Sequence, residues 1–149
     1  MTHDEAYRRY FPIIRTKVFR ILGSGAQAEE VAQETFLRFW REGPRDASIA
    51  TTTAWLYRTA TRMAIDAVRR HSLALRHRTL GDVVTPPTGL HGLQLDELVK
   101  HVEPRSLEAA LLHRVDGLSQ AEVAEVLGIT TRSVRRLLTR FDEMTLEIR

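Results

Sequence analysis

The 149-residue chain contains no cysteine. Disulfides, thiolate metal sites, thiol catalysis and direct thiol sensing are therefore excluded, and nothing marks an oxidising compartment. Lysine is nearly absent as well: Lys17 and Lys100 are the only two, so almost every basic group is an arginine. No apolar run approaches the roughly 20 residues that span a bilayer. The first residues, "MTHDEAYRRYF", are polar and charged, without the apolar stretch of a signal peptide. These absences together point to a cytoplasmic protein with no membrane insertion. Six histidines are scattered at His3, His71, His77, His91, His101 and His113, and none stands at ligand spacing from another. There is no phosphate-binding glycine loop. An enzyme is not expected, and no metal or cofactor is implied.

The charge that is present is unevenly placed. The net value is only +3, yet residues 54–78 carry six basic side chains and one acidic, whereas 79–103 carry one and four. A clustered basic patch is the electrostatic footprint of a nucleic-acid partner. Arginine suits that role because its planar fork binds phosphate and base edges in two-point fashion.

Apolar spacing predicts helices throughout. Tyr7, Tyr10, Phe11, Ile14, Val18 and Leu22 recur at three and four over residues 3–22. After "GSGA" a second helix is expected over about 27–41, with Ala28, Val31, Ala32, Thr35, Phe36, Phe39 and Trp40 in one broad stripe. "EGPRDASIATTT", 42–53, reads as a loop, and a third helix runs from about Thr53 to Arg70 or beyond. Residues 79–93 hold two prolines and three glycines and read as a linker. Beyond it, helices are expected at about 94–102, 105–115, 119–127 and 131–146. No strand alternation and no repeat is visible. The fold class is all-α, in two small helical domains joined by a flexible linker.

Two stretches carry functional information. "SQAEVAEVLGITTRSVRRLLTR" has the pattern of a helix-turn-helix. Ser119 and Glu122 form a capping box. Gly128 stands where the chain leaves the first helix, in a left-handed conformation that glycine adopts readily. Thr130 is a natural N-cap for the second helix. Val134, Leu137, Leu138 and Phe141 then mark a buried face, and Arg132, Ser133, Arg135, Arg136, Thr139 and Arg140 the opposite one. "TAWLYRTATRMAIDAVRRH" is the second stretch. At about 100° per residue, Arg58, Arg62 and Arg69 fall on one stripe, with Thr61 and Ile65 beside it and Trp55 and Tyr57 at its start. Aromatic rings with an arginine row suit a strand of unstacked bases. The alternative is a tryptophan in the core and a merely solvated basic face; the residues alone leave both open.

In their order, "AEEVAQETFLRFWRE", "AWLYRTATRMAIDAVRR" and "LSQAEVAEVLGITTRSVRRLLTR" resemble the bacterial RNA polymerase sigma factors of the extracytoplasmic-function (ECF) group, over nearly the whole chain. The resemblance implies a region 2-like domain at 1–78, a linker at 79–103 and a region 4-like helix-turn-helix domain at 104–149. It implies that Gln33, Glu34, Leu37, Trp40 and Arg41 dock on the β′ clamp helices of core RNA polymerase, with the β flap as a second polymerase contact. It implies that Trp55, Tyr57, Arg58, Thr61, Arg62, Arg69 and Arg70 meet the promoter's minus-ten element, and that Arg132, Ser133, Arg135, Arg136, Thr139 and Arg140 read the minus-thirty-five element. It also implies an anti-sigma factor as partner. Two departures bear on promoter preference: Arg62 stands where the family commonly has Asn, and Arg135-Arg136-Leu137-Leu138 where it commonly has Lys-Ser-Arg-Leu. Two other functions stay open beside this one. One is a stand-alone helix-turn-helix transcriptional regulator, and the other a sigma-like adaptor acting through protein partners.

Overall fold

The computed structural model describes residues 2–75 and 95–148, with the side chains of 71–75 excepted. The expected linker, 79–93, lies outside the described residues. Every described element is helical: α1 (His3–Leu22), α2 (Gly25–Glu42), α3 (Ile49–Leu75), α4 (Leu95–His101), α5 (Pro104–Ala110), a π-helical turn (Leu111–Val115), α6 (Gln120–Leu127) and α7 (Thr131–Ile148).

Local chemistry sets the ends of these helices. Thr2 and Glu5 close a capping box at the start of α1, and Gly23 ends that helix at φ 71°. Ser24 caps α2 by accepting from the amide of Gln27. At the other end of α2, a Cβ on Gly43 would collide with the ring and carbonyl oxygen of Phe39, so the close approach there needs glycine. The third helix begins at Ile49, four residues earlier than the loop-like composition of 42–53 suggests. Ser48 explains the difference: its hydroxyl accepts from the amide of Thr51 at 3.1 Å, and its carbonyl from Thr52 at 3.0 Å, which is N-cap geometry.

Helices α1, α2 and α3 form a bundle. Ala6, Tyr10, Ile14, Val18 and Ile21 of α1 are buried with Ala28, Ala32, Phe36 and Phe39 of α2 and Leu56, Ala60 and Ala64 of α3. Alanine at four of these α2 and α3 positions, Ala28, Ala32, Ala60 and Ala64, lets the helices approach closely. An aromatic chain runs along one side, with ring centroids 5.3 Å apart for Tyr7–Phe36, 6.2 Å for Phe36–Phe39 and 5.5 Å for Phe39–Trp55. Such offset and edge-on pairs add modestly to the burial itself.

Helices α4 to α7 form a second, smaller cluster around Leu98, Leu107, Leu111, Leu112, Val123, Val134 and Phe141. Helix α4 lies within the stretch expected as linker and packs on both α3 and α7. Arg114 joins the π turn to α7 through a two-point pair with Asp142 at 2.6 and 2.9 Å, and its guanidinium lies over the Phe141 ring. The two clusters are in contact: α3 packs on α4 and α6, and α1 meets the π turn. Lys17 of α1 forms an ion pair with Asp116, which follows that turn, with side chains only 2% and 3% exposed. Among the described residues no helix is long and apolar enough to cross a membrane.

Candidate polymerase and nucleic-acid interfaces

The helix-turn-helix is built as its spacing predicts. Ser119 and Glu122 exchange hydrogen bonds at 2.9 and 3.1 Å. Donation from Ser119, its backbone amide first, holds the Glu122 carboxyl below its ordinary value, because it favours the ionised form. Gly128 sits at φ 69°, ψ 34°, in the left-handed region. Ile129 packs against the core. Thr130 caps α7 by accepting from the amide of Ser133 at 3.1 Å, and its own hydroxyl donates to that of Ser133 at 2.9 Å. Val134, Leu138 and Phe141 are buried, with Leu137 half-buried beside them.

The opposite face of α7 is solvent-exposed at Arg132, Arg135, Arg136, Thr139 and Arg140; Ser133 is half-buried and engaged by the cap. Arg135 donates to Gln120 of α6 at 3.3 Å, and Arg140 pairs with Glu103 at 3.3 Å. Arg132 and Arg136 have no acidic partner among the described residues. The helix thus presents two guanidinium groups without an acidic partner among the described residues, alternating with two that are lightly held.

Helix α2 presents an apolar patch with a polar border. Leu37 is 49% and Trp40 60% exposed, with Gln33 and Arg41 also at the surface and Glu34 half-buried. The periodicity had put Trp40 in the buried stripe, and the structure corrects this. Phe36 and Phe39 already fill the space against α1 and α3. Trp40 comes one residue later, on the outer side, with the ring of His3 5.9 Å from its own. Glu34 and Arg41 stand 4.0 Å apart, a weak exposed pair, and Gln33 donates to Glu29 at 3.3 Å. A large exposed tryptophan beside a leucine is the composition of a protein-docking spot.

The basic stripe of α3 has a different setting. Trp55 is half-buried against Phe39, so its ring belongs partly to the core. Thr61 is fully buried and donates back to the carbonyl of Tyr57 at 2.8 Å. Arg69 and Arg70 are exposed, with Arg69 near Asp66 at 3.8 Å. Arg58 and Arg62 are engaged by the second cluster. Arg58 donates to the carbonyl of Val126 at 2.8 Å, and Arg62 pairs with Glu108 at 2.9 Å. Burial pushes the Glu108 carboxyl up, against the pull of Arg62, Arg58 and Arg105. The Tyr57 ring lies 5.3 Å from the Lys17 ammonium, and burial raises its phenol. Burial also lowers Lys17 and raises Asp116, each opposed by the other's charge.

This Lys17–Asp116 pair escapes a reading of local spacing because its members stand 99 residues apart. One signal was available. Lys17 is the only lysine before residue 100, and it falls in the Tyr10–Ile14–Val18–Ile21 register, where an apolar residue belongs.

A two-cluster helical chain with an exposed apolar patch on one helix, an arginine row on the next and a helix-turn-helix beyond has the architecture of a promoter-specificity factor. Comparison with known proteins agrees. Residues 6–73 match sigma-70 region 2, and residues 92–140 match sigma-70 region 4. The chain is 27% identical to the ferric citrate uptake sigma factor FecI of Escherichia coli, over all of this chain and 91% of that protein. It is 24% identical to the ECF RNA polymerase sigma factor SigW of Bacillus subtilis, over 92% of this chain and 85% of that one. Against the ECF RNA polymerase sigma factor SigE of Mycolicibacterium smegmatis it is 26% identical over 92% of its length, but spans only 57% of that protein. Its fold is similar to that of the sigma factor RpoE from Bartonella quintana, solved in complex with the anti-sigma factor NepR. The TM-score is 0.54 at 17% identity, over 97% of this chain and 94% of that one. The chain belongs to the sigma-70 family, in its ECF group.

Proposed function

We propose that this ECF sigma factor divides its work among three surfaces. The α2 patch of Gln33, Glu34, Leu37, Trp40 and Arg41 docks on the β′ clamp helices of core RNA polymerase. The α3 surface of Trp55, Tyr57, Arg58, Arg62, Arg69 and Arg70 captures the melted minus-ten element, with Thr61 packing beneath it. The outer face of α7 reads the minus-thirty-five element. The domain division follows: 1–78 for docking and melting, 79–103 as linker, and 104–149 for upstream recognition and contact with the β flap. The factor acts in the cytoplasm, catalyses no reaction itself, and has an anti-sigma factor as its regulating partner.

The observation that carries this reading is the pairing of exposed Trp40 and Leu37 on α2 with an arginine row on the adjoining helix α3. A stand-alone regulator would have no use for the first surface. The physical logic is one of cooperating grips. Unstacking bases costs a few kcal/mol, which aromatic stacking and phosphate contacts offset. The docked polymerase and the upstream grip hold the duplex in place while that happens.

Run-off transcription with purified core polymerase tests the proposal. Core binding with promoter-directed transcripts is the expected result. Failure to bind core, with no stimulation on any promoter, would overturn it.

A further inference from the structure

We propose that Gln120, the first residue of α6, is a positioning residue for promoter reading. It fixes the Arg135 guanidinium so that its two terminal nitrogens meet a guanine of the minus-thirty-five element. This role rests on the proposed reading of that element by α7 and deepens it: one arginine reads, and the others hold.

The exposed arginines of α7 are not alike. Arg135 donates through Nε to the side-chain oxygen of Gln120 at 3.3 Å. Arg140 is tied through the same atom, to a carboxylate oxygen of Glu103 at 3.3 Å. Arg132 and Arg136 are exposed and have no acidic partner among the described residues. A guanidinium carries its five N–H donors in one plane. A tie at Nε uses one edge of that plane and leaves both terminal nitrogens free. It also sets the direction in which the free end points. Guanine offers such a fork two acceptors, O6 and N7, and the match needs orientation as well as charge. A phosphate contact positions the protein and carries no sequence information, so an untied arginine serves it well.

Place along the helix decides between the two tied arginines. The N-terminal residues of a recognition helix are the ones that contact base edges. Arg135 stands in the second turn of α7, and Arg140 more than a turn beyond it. Arg135 is therefore the tied arginine within reach of the bases, and Arg140 is placed for the backbone.

Gln120 is suited to the task. The capping box of Ser119 and Glu122 fixes the backbone on both sides of it, and the residue is half-buried. Its amide oxygen accepts from Arg135 without adding negative charge beside the DNA. Holding a long side chain before binding removes an ordering cost that would otherwise fall on association.

Selection from a randomised promoter-length duplex pool, by the factor assembled with purified core polymerase, tests this. The unaltered factor is expected to enrich an upstream motif with a preferred guanine. Arg135→Ala should lower the preference for that guanine about tenfold or more. Gln120→Met, which keeps the length and removes the acceptor, should lower it at the same position by about two- to tenfold. Gln120→Glu keeps the acceptor and should keep the preference, with weaker binding to all sequences. Arg136→Ala should leave the motif intact and reduce the salt slope by about one. Both Gln120 variants leave the capping box in place, so their melting temperatures should match that of the unaltered factor. A guanine preference that Gln120→Met leaves unchanged, or a change at a different position from that of Arg135→Ala, overturns the positioning role. So does a loss in Gln120→Glu as deep as in Gln120→Met. A guanine that responds to Arg136 and not to Arg135 overturns the division of labour. If the unaltered factor enriches no upstream motif, the proposed role of α7 itself fails; a motif indifferent to Gln120 leaves that role standing.

Discussion

Arg135 and Arg136 stand on the open face of α7, one lightly tied to Gln120 and the other unpaired among the described residues. Replacing either by alanine removes no buried contact, so folding should be unaffected. Recognition of the minus-thirty-five element should weaken by about 1–3 kcal/mol if the contact is bidentate to guanine. Binding titrations on cognate and scrambled duplexes, with core present, separate the two kinds of contact. A phosphate contact weakens both alike and lowers the salt dependence. Gly128 makes a different demand. A Cβ there meets nothing within 4 Å, so the penalty for a side chain comes from φ 69° alone. Gly128→Val should lower stability by roughly 1–2 kcal/mol, and Gly128→Asn by less. Equal melting temperatures for all three would contradict the strained turn. Glu122 adds a pH dependence whose sign is set. Its folded carboxyl lies below the ordinary value because Ser119 donates to the ionised form. Its contribution is therefore present above the ordinary carboxylate range and lost as the pH falls through the folded value. Glu122→Gln should flatten the acid limb of the stability curve; an unchanged limb would contradict the capping box.

At the scale of elements, spacing was a good guide to what each helix is and a poorer one to where its functional side chains end up. Helix α1 runs over His3–Leu22 as its apolar repeat requires, and the helix-turn-helix follows its caps and glycine residue by residue. These signals are local, so one sequence suffices to see them. The start of α3 was misplaced because small polar residues look like loop, and the Ser48 cap outweighs them. Trp40 was misplaced because an apolar residue one step from a buried stripe can turn either way. Tertiary space decides, and Phe36 and Phe39 have taken it. Its exposure gives α2 a testable function. Trp40→Ala and Leu37→Ala should leave the melting temperature within about 0.5 kcal/mol equivalent and weaken core polymerase binding by about 1–2 kcal/mol or more. Unchanged core affinity in both would remove α2 from the docking surface.

At the scale of the whole molecule, the contacts that matter most were the least legible. Lys17 and Asp116, Arg62 and Glu108, and Arg58 and Val126 all join residues far apart in sequence. No periodicity links them. Only the misplaced lysine in an apolar register hinted that a charge would arrive from elsewhere. The resulting picture is a factor with three surfaces, two of them open and the third, on α3, engaged by the second cluster through Arg58 and Arg62 while Arg69 and Arg70 stay exposed. As a sigma factor the chain directs RNA polymerase to promoters, and run-off transcription with purified core polymerase is the decisive measurement. Discrete promoter-dependent transcripts are expected, reduced when Trp40 or Arg136 is replaced by alanine. No core binding and no transcript from any promoter would contradict it.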